Sequence, residues 1–176
     1  MRPYAMYGGS FDPIHCGHLS LIRQAQTLGY EVIVVPAYRH AFGKQSAPFA
    51  HRLQMCLLGL QAWQLQTHAR VCSIEQRLAQ ASDTPVYTYE VLCALRAQGK
   101  TPLRLIVGPD IAAEWTRWYH HADIDREFGR VALPMTVAVR STDIRQHLRA
   151  GGSAKLPEDW LPEPVTTYIA THDLYR

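Results

Sequence analysis

Hydrophobic positions along the chain alternate between two kinds of run. Short β-rich stretches, "PYAMY", "EVIVVP", "ARVCSI" and "LRLIVG", are apolar at nearly every position, as strands buried on both faces are. Between them lie longer runs with helical period. In "HLSLIRQAQTLG" the residues Leu19, Ile22, Ala25 and Leu28 form one stripe, with Gly29 as the stop. In "FAHRLQMCLLGLQAWQ" the stripe predicted is Ala50, Leu53, Leu57 and Leu60, and "YTYEVLCALRAQG" gives a further helix ended by glycine. Downstream, "DIAAEWTRWYHH" reads as a short helix, "VALPMTVAV" as a strand, "STDIRQHLRAG" as a capped helix and "PEPVTTYIATHDLY" as a helix opened by prolines. Strand and loop readings compete between Ala122 and Pro134.

A βαβ beginning followed by the same rhythm predicts an α/β fold, a doubly wound parallel sheet covered by helices on both faces. The 176 residues fit one domain, 1–176. No apolar run approaches the roughly 18 residues of a membrane span, and the apolar start "MRPYAMYGG" stops at glycines too early for a secretory signal. Cys16, Cys56, Cys72 and Cys93 are widely separated, without a Cys-x-x-Cys pair, which suits reduced thiols and a cytoplasmic address. A formal charge of +3 suits small anionic ligands but falls short of the basic density of a nucleic-acid binder.

Chemistry concentrates in "GGSFDPIHCGHLSL", between the first strand and the first helix. In a doubly wound sheet that is the ligand-binding carboxyl edge. Gly8 and Gly9 would let the backbone approach a ligand, and a helix starting near His18 would offer unpaired N–H groups to a phosphate. His15 and His18 suit hydrogen bonding to phosphate oxygens, stabilising charge that grows in phosphoryl transfer. With Cys16 they could form a metal site, but neighbouring residues rarely converge tetrahedrally on one ion and no further ligand cluster follows, so no metal-ligating set is expected. A second candidate is "RSTDIRQHLRAGG": Ser141 could cap the helix, its N-terminal N–H groups and hydroxyls could receive phosphate oxygens, and Arg145 could add a forked cation. Taken alone it is equally an N-capped amphipathic helix with a solvated arginine.

The segment with His15-Cys16-Gly17-His18 resembles the signature of the His-x-Gly-His nucleotidyltransferase superfamily. Within it the chain is similar to the bacterial nicotinate mononucleotide adenylyltransferases, through Arg52, Tyr87-Thr88, Gly108 to Asp110 followed by Trp115, Ser141 to Arg145, and the closing "PEPVTTYIATHDLY". The resemblance implies a Rossmann-like nucleotidyltransferase in NAD biosynthesis, with ATP and a pyridine mononucleotide as its small-molecule partners and Mg²⁺ accompanying the ATP. It implies His15, His18 and Arg145 as catalytic residues. ATP would lie on Gly8, Gly9, Ser10, Phe11, Gly17 and His18, with Gly108 and Asp110 at the adenosine and Ser141, Thr142 and Arg145 on the phosphates. For the acceptor it implies Lys44, Arg52, Tyr87, Thr88 and Trp115. Trp115 and Trp118 could stack on a pyridine ring, although two aromatics three apart more often pack in a core.

Three departures stand out from the family pattern. Arg140 occupies a position usually held by a small hydroxyl residue, "YRHAFGK" replaces a Pro-His-Lys element, and the segment from Asp110 to Ser141 is short enough to leave a sheet strand open. Another phosphate acceptor, or a nucleotide-binding module without turnover, remains a rival reading, and self-association as a homo-oligomer is left open. A Cys16 nucleophile ranks last, since no base is arrayed beside it.

Overall fold

The computed structural model describes residues 2–39, 46–81, 85–150 and 156–176. Five strands, β1 (Tyr4–Gly9), β2 (Glu31–Pro36), β3 (Ala69–Val71), β4 (Leu103–Val107) and β5 (Arg130–Ala132), form one sheet in the order β3-β2-β1-β4-β5. Every neighbouring pair is parallel. The reversal of strand order at β1 makes the sheet doubly wound, as the alternation of runs predicts, and it puts the carboxyl end of β1 at the switch point.

Strand alternation divides the interior into two cores. Ala5 and Tyr7 of β1, Val32 and Val34 of β2 and Ile106 of β4 point to one face, where α1 (Cys16–Thr27), α2 (Phe49–Ala62), α7 (Ser141–Arg149) and α8 (Glu163–Thr171) bring Leu19, Met55, Ile144 and Val165. Met6, Ile33, Val35, Leu105 and Val107 point to the other. There α3 (Ile74–Gln80), α4 (Thr88–Ala97) and α6 (His121–Glu127) supply Ile74, Leu92 and Ile124.

Several expectations are corrected. The region between Ala122 and Pro134 holds most of α6 and the whole of β5, so the strand left open is present at the sheet edge. Helix α6 escapes the periodic pattern because it buries only Ile124. The strand read across "VALPMTVAV" covers only its first two residues. Pro134 cannot donate to a ladder, and its carbonyl accepts instead from Gln24 Nε2 on α1 at 2.8 Å. The helix read in "DIAAEWTRWYHH" is α5 (Pro109–Ala113) followed by a 3-10 turn, Trp115–Arg117. On α2 the buried stripe is Arg52, Met55, Cys56, Gly59 and Leu60, whereas Leu57 is exposed. Gly59 decides which face packs, for a side chain there would press on Ile14 and Leu19 of the core. Leu28, expected on the α1 stripe, is exposed where the helix ends at left-handed Gly29.

The loop leaving β2 is held at its start from two sides. Glu75, in the first turn of α3, accepts the Tyr38 N–H at 2.8 Å, and Arg52 Nη2 donates to the Tyr38 carbonyl at 3.4 Å. Burial pushes the Glu75 carboxyl up from 4.5 to about 7. The unfolded chain thus releases this proton earlier than the folded one, so the stability it confers is complete below pH 4.5 and is lost as pH rises through about 7. Glu75→Gln keeps an acceptor for Tyr38 and removes the charge. Its thermal unfolding temperature is expected to gain on the wild type progressively between pH 5 and pH 8, and a pH-independent gap between the two would exclude this assignment.

Candidate active site

Beyond Gly9 the chain reverses through Phe11, a left-handed residue with φ of 47° and a buried ring. A Cβ on Gly9 would sit 3.2 Å from that ring, so the glycine leaves room for Phe11. Gly17 is constrained more tightly. A Cβ there would lie 2.7 Å from Met135 Sδ and 2.9 Å from the Val137 carbonyl, because the loop after β5 lies directly on the first turn of α1. At both glycines the absent side chain leaves room for other parts of the protein. Gly8, Gly9, Gly17 and Gly108 do not line the cleft described below.

Helix α1 starts at Cys16, two residues before the expected position, with His15 as its N-cap. The two histidines close this end reciprocally. His15 Nδ1 accepts the His18 N–H at 3.3 Å, His18 Nδ1 accepts the His15 N–H at 3.2 Å, and the rings stack with centroids 3.6 Å apart. An Nδ1 that accepts a backbone hydrogen carries none itself, so both neutral rings bear their hydrogen on Nε2. Burial lowers the His15 pKa from 6.5 to about 4, and it holds that of His18 well below the ordinary range, with His15 adding to the effect. Both rings are neutral donors at pH 7. The Cys16 N–H is also taken, by the Trp160 carbonyl at 2.9 Å. The open N-terminus that the sequence suggested is therefore largely closed, and imidazole Nε2–H groups replace backbone amides as the donors of this helix end.

Across from them stands α7. Arg140 is its N-cap, correcting the expectation for Ser141, whose Oγ instead donates to the Pro13 carbonyl at 2.9 Å. The Ser141 and Thr142 amides lie in the first turn, where no carbonyl one turn back can receive them. Arg145 points back under the β1–α1 turn: Nη1 donates to the Asp12 carbonyl at 2.7 Å and Nη2 to Thr142 Oγ1 at 3.3 Å. Arg140 reaches Asp110 at 3.0 Å, an exposed pair across the rim. Together these groups border a cleft of about 320 Å³ lined by Ser10, Phe11, Asp12, His15, His18, Ser46, Asp110, Met135, Val139, Arg140, Ser141, Thr142 and Arg145.

All three residues expected to be catalytic thus converge, together with five others expected at the nucleotide: Ser10, Phe11, Asp110, Ser141 and Thr142; His18 and Arg145 belong to both groups. Asp12 was not singled out from the sequence, although it stands inside the motif. The described residues expected at the acceptor, Arg52, Tyr87, Thr88 and Trp115, do not line this cleft. Arg52 is buried and directs three N–H groups onto the carbonyls of Ala47, Ser10 and Tyr38. Trp115 is 5% exposed, with its ring stacked on Trp118 and its Nε1 donating to Asp125 at 2.8 Å, so of the two indoles only the half-buried Trp118 retains open surface. Thr88 begins α4, Tyr87 precedes it with its ring 4.4 Å from that of Tyr119, and Lys44 lies outside the described residues.

Comparison with known proteins places the chain in a family. A cytidylyltransferase-like family model matches residues 6–147, the span that carries both motifs bordering the cleft. The chain belongs to the cytidylyltransferase-like family. A member named probable nicotinate-nucleotide adenylyltransferase, from Anaeromyxobacter dehalogenans (strain 2CP-C), is 36% identical over 191 residues, covering 99% of this chain and 97% of its own. One of the same name from Solibacter usitatus is 31% identical, covering 98% of each chain. In fold, the chain resembles Plasmodium falciparum nicotinic acid mononucleotide adenylyltransferase complexed with NaAD, with a TM-score of 0.79 at 16% identity, covering 99% of this chain and 98% of that one.

Within this cytidylyltransferase-like site two outcomes follow. Gly17→Ala would drive a methyl group into the Val137 carbonyl, so a loss of about 1–3 kcal/mol in unfolding free energy is expected from denaturant titration. A variant as stable as wild type would show that the loop yields. For the histidines, ¹⁵N-detected imidazole spectra are expected to show the Nε2–H tautomer for both rings from pH 8 down to pH 5. A ring that titrates near pH 6.5 would contradict the neutral-donor assignment.

Proposed function

We propose that the protein transfers the adenylyl group of ATP to nicotinate mononucleotide, forming deaminated NAD and releasing pyrophosphate. Full-length similarity to proteins named for this reaction carries the reading, and the cleft supplies chemistry that fits it. An oxygen of the acceptor's phosphate forms the new bond to the α-phosphorus while the bond to the bridging oxygen breaks, and its electron pair leaves with pyrophosphate. A phosphate dianion brings no proton that a base must remove, so the protein needs neither a nucleophile nor a base of its own.

What remains for the residues is alignment and charge stabilisation, of which alignment can supply about 7–11 kcal/mol. Arg145 and the α7 amides would hold phosphate oxygens, and the Nε2–H groups of His15 and His18 would donate to the oxygens on which charge grows. Neutral imidazoles suit this role because they need not exchange a proton during the step. Mg²⁺ would be carried through the nucleotide's own oxygens and would neutralise triphosphate charge. The residues fit that arrangement, since the cleft's Asp12 carboxylate is already occupied by the Ala47 N–H at 3.0 Å and the Tyr175 hydroxyl at 2.7 Å. For the pyridine ring, the open surface of Trp118 is a better platform than buried Trp115, and the Thr88 N–H at the start of α4 would meet the ring carboxylate, the Tyr87 N–H being taken by Glu90 Oε2 at 2.6 Å. The four cysteines are free thiols, in keeping with a cytoplasmic enzyme.

Pyrophosphate release from ATP and Mg²⁺ with a panel of acceptors tests the reading. Nicotinate mononucleotide is expected to exceed nicotinamide mononucleotide in kcat/KM by roughly tenfold to a hundredfold, the ratio given by a charge-assisted hydrogen bond of about 1.5–3 kcal/mol. Equal constants would reject the acid preference, and release with neither would reject the acceptor class. His18→Ala is expected to lower kcat by about 10²–10³ with the fold retained.

A further inference from the structure

Behind the cleft, a hydrogen-bonded chain runs from the C-terminal segment to Arg145. The family match ends at residue 147, so the segment after α8 lies outside it. Beyond α8 the backbone passes through two left-handed residues, Asp173 with φ of 50° and Tyr175 with φ of 66°. Side-chain-bearing residues adopt this conformation at a cost in free energy, and such outliers are a starting point for functional hypotheses. Here the turn has a clear result. Leu174 packs against the core shared by α1, α2, α7 and α8, and the Tyr175 hydroxyl donates to Asp12 Oδ1 at 2.7 Å, across 163 positions of sequence.

Asp12 is the hub. Its Oδ1 also accepts the Ala47 N–H at 3.0 Å, its Oδ2 faces Arg145 Nη1 at 3.8 Å, and its carbonyl accepts from that same Nη1 at 2.7 Å. Two of the contacts that direct the Arg145 guanidinium thus run to Asp12, and a third runs to Thr142 Oγ1 at 3.3 Å. Among the described residues that fix Asp12, Tyr175 alone comes from the last turn of the chain and from a segment bent to reach it.

We propose that Tyr175 is a positioning residue of the nucleotide site: its hydroxyl fixes the Asp12 carboxylate, and through Asp12 it aims Arg145 at the phosphates of ATP. Burial and the bond to Asp12 both push the phenol's pKa far above its ordinary value, so it remains a donor throughout the working pH range. Tyr175 touches no substrate. Its effect is carried by the direction of Arg145, and it rests on the assignment of Arg145 to ATP made above.

Tyr175→Phe keeps the ring in the core and deletes the hydroxyl. With Mg·ATP as the only ligand, calorimetry is expected to show about tenfold weaker binding for this variant, and steady-state kinetics a matching rise in KM for ATP with little change in KM for the acceptor. Arg145→Lys should weaken ATP binding by itself, and adding Tyr175→Phe to it should weaken binding no further, because the group being aimed is already altered. Arg176→Ala, which removes only a pairing with Asp173, should bind ATP as wild type does. A purely structural tyrosine would lower the unfolding temperature while its effect on ATP simply added to that of Arg145→Lys. Additive effects, or wild-type ATP binding by Tyr175→Phe, would overturn the proposal. Since no acceptor is present, a wild-type chain that binds ATP but fails to turn over nicotinate mononucleotide overturns the acceptor assignment and leaves the expected Tyr175 result intact, whereas one that binds no ATP overturns both.

Discussion

The constraint on which the site depends is the exchange of hydrogen bonds between His15 and His18 at the start of α1. Each ring spends its Nδ1 lone pair on the other's backbone N–H. Three consequences follow from that one arrangement. Two amides that would otherwise be left unpaired at a helix end are satisfied, both imidazoles are confined to one tautomer, and the stacked rings present donors while remaining uncharged. The same geometry requires the first turn of α1 to be exposed to the cleft on one side and covered on the other. Gly17 and the loop from Met135 to Val137 provide that cover.

Around the turn, nearly every polar group of the site is held by another before any ligand arrives. Arg52 grips the carbonyls on either side of the loop leaving β2, Asp12 gathers an amide, a phenol and a guanidinium, and Ser141 joins α7 to Pro13. A site ordered in advance loses less conformational entropy when it orders a flexible triphosphate. That matters for a reaction in which the protein's contribution is alignment and charge stabilisation. The pair of Arg140 and Asp110, 3.0 Å apart at the rim, differs from these in being exposed to solvent.

Local pattern made much of this legible. The run "EVIVVP" coincides with β2 residue for residue, since a strand buried on both faces needs no partner to be recognised. The residues of "GGSFDPIHCGHLSL" and "STDIR" meet in one cleft because both follow strands or loops at the same edge of the sheet. Illegible features were those decided by contacts distant in sequence. Arg52 is named for the acceptor only through the resemblance, and its burial follows from carbonyls at positions 10, 38 and 47 that no local pattern announces. The close approach of Phe11 to Gly9, and of Met135 and Val137 to Gly17, likewise has no local signature. Helix α6 has too few buried positions to show a period, and Trp115 differs from Trp118 only through packing that no spacing rule distinguishes.

The partition of the interior by strand alternation has a consequence for how such a protein can change. His15, His18, Arg145, Arg52 and Tyr175 belong to elements packed on one face of the sheet, and Tyr87, Thr88, Trp115 and Trp118 to elements packed on the other. Contacts between the two groups pass through a backbone ladder that is nearly indifferent to side-chain identity. Substitutions on opposite faces should therefore combine almost independently, as sites without shared partners do. An ancestral chain could thus drift on one side of the sheet while the residues packed on the other stayed under unchanged selection.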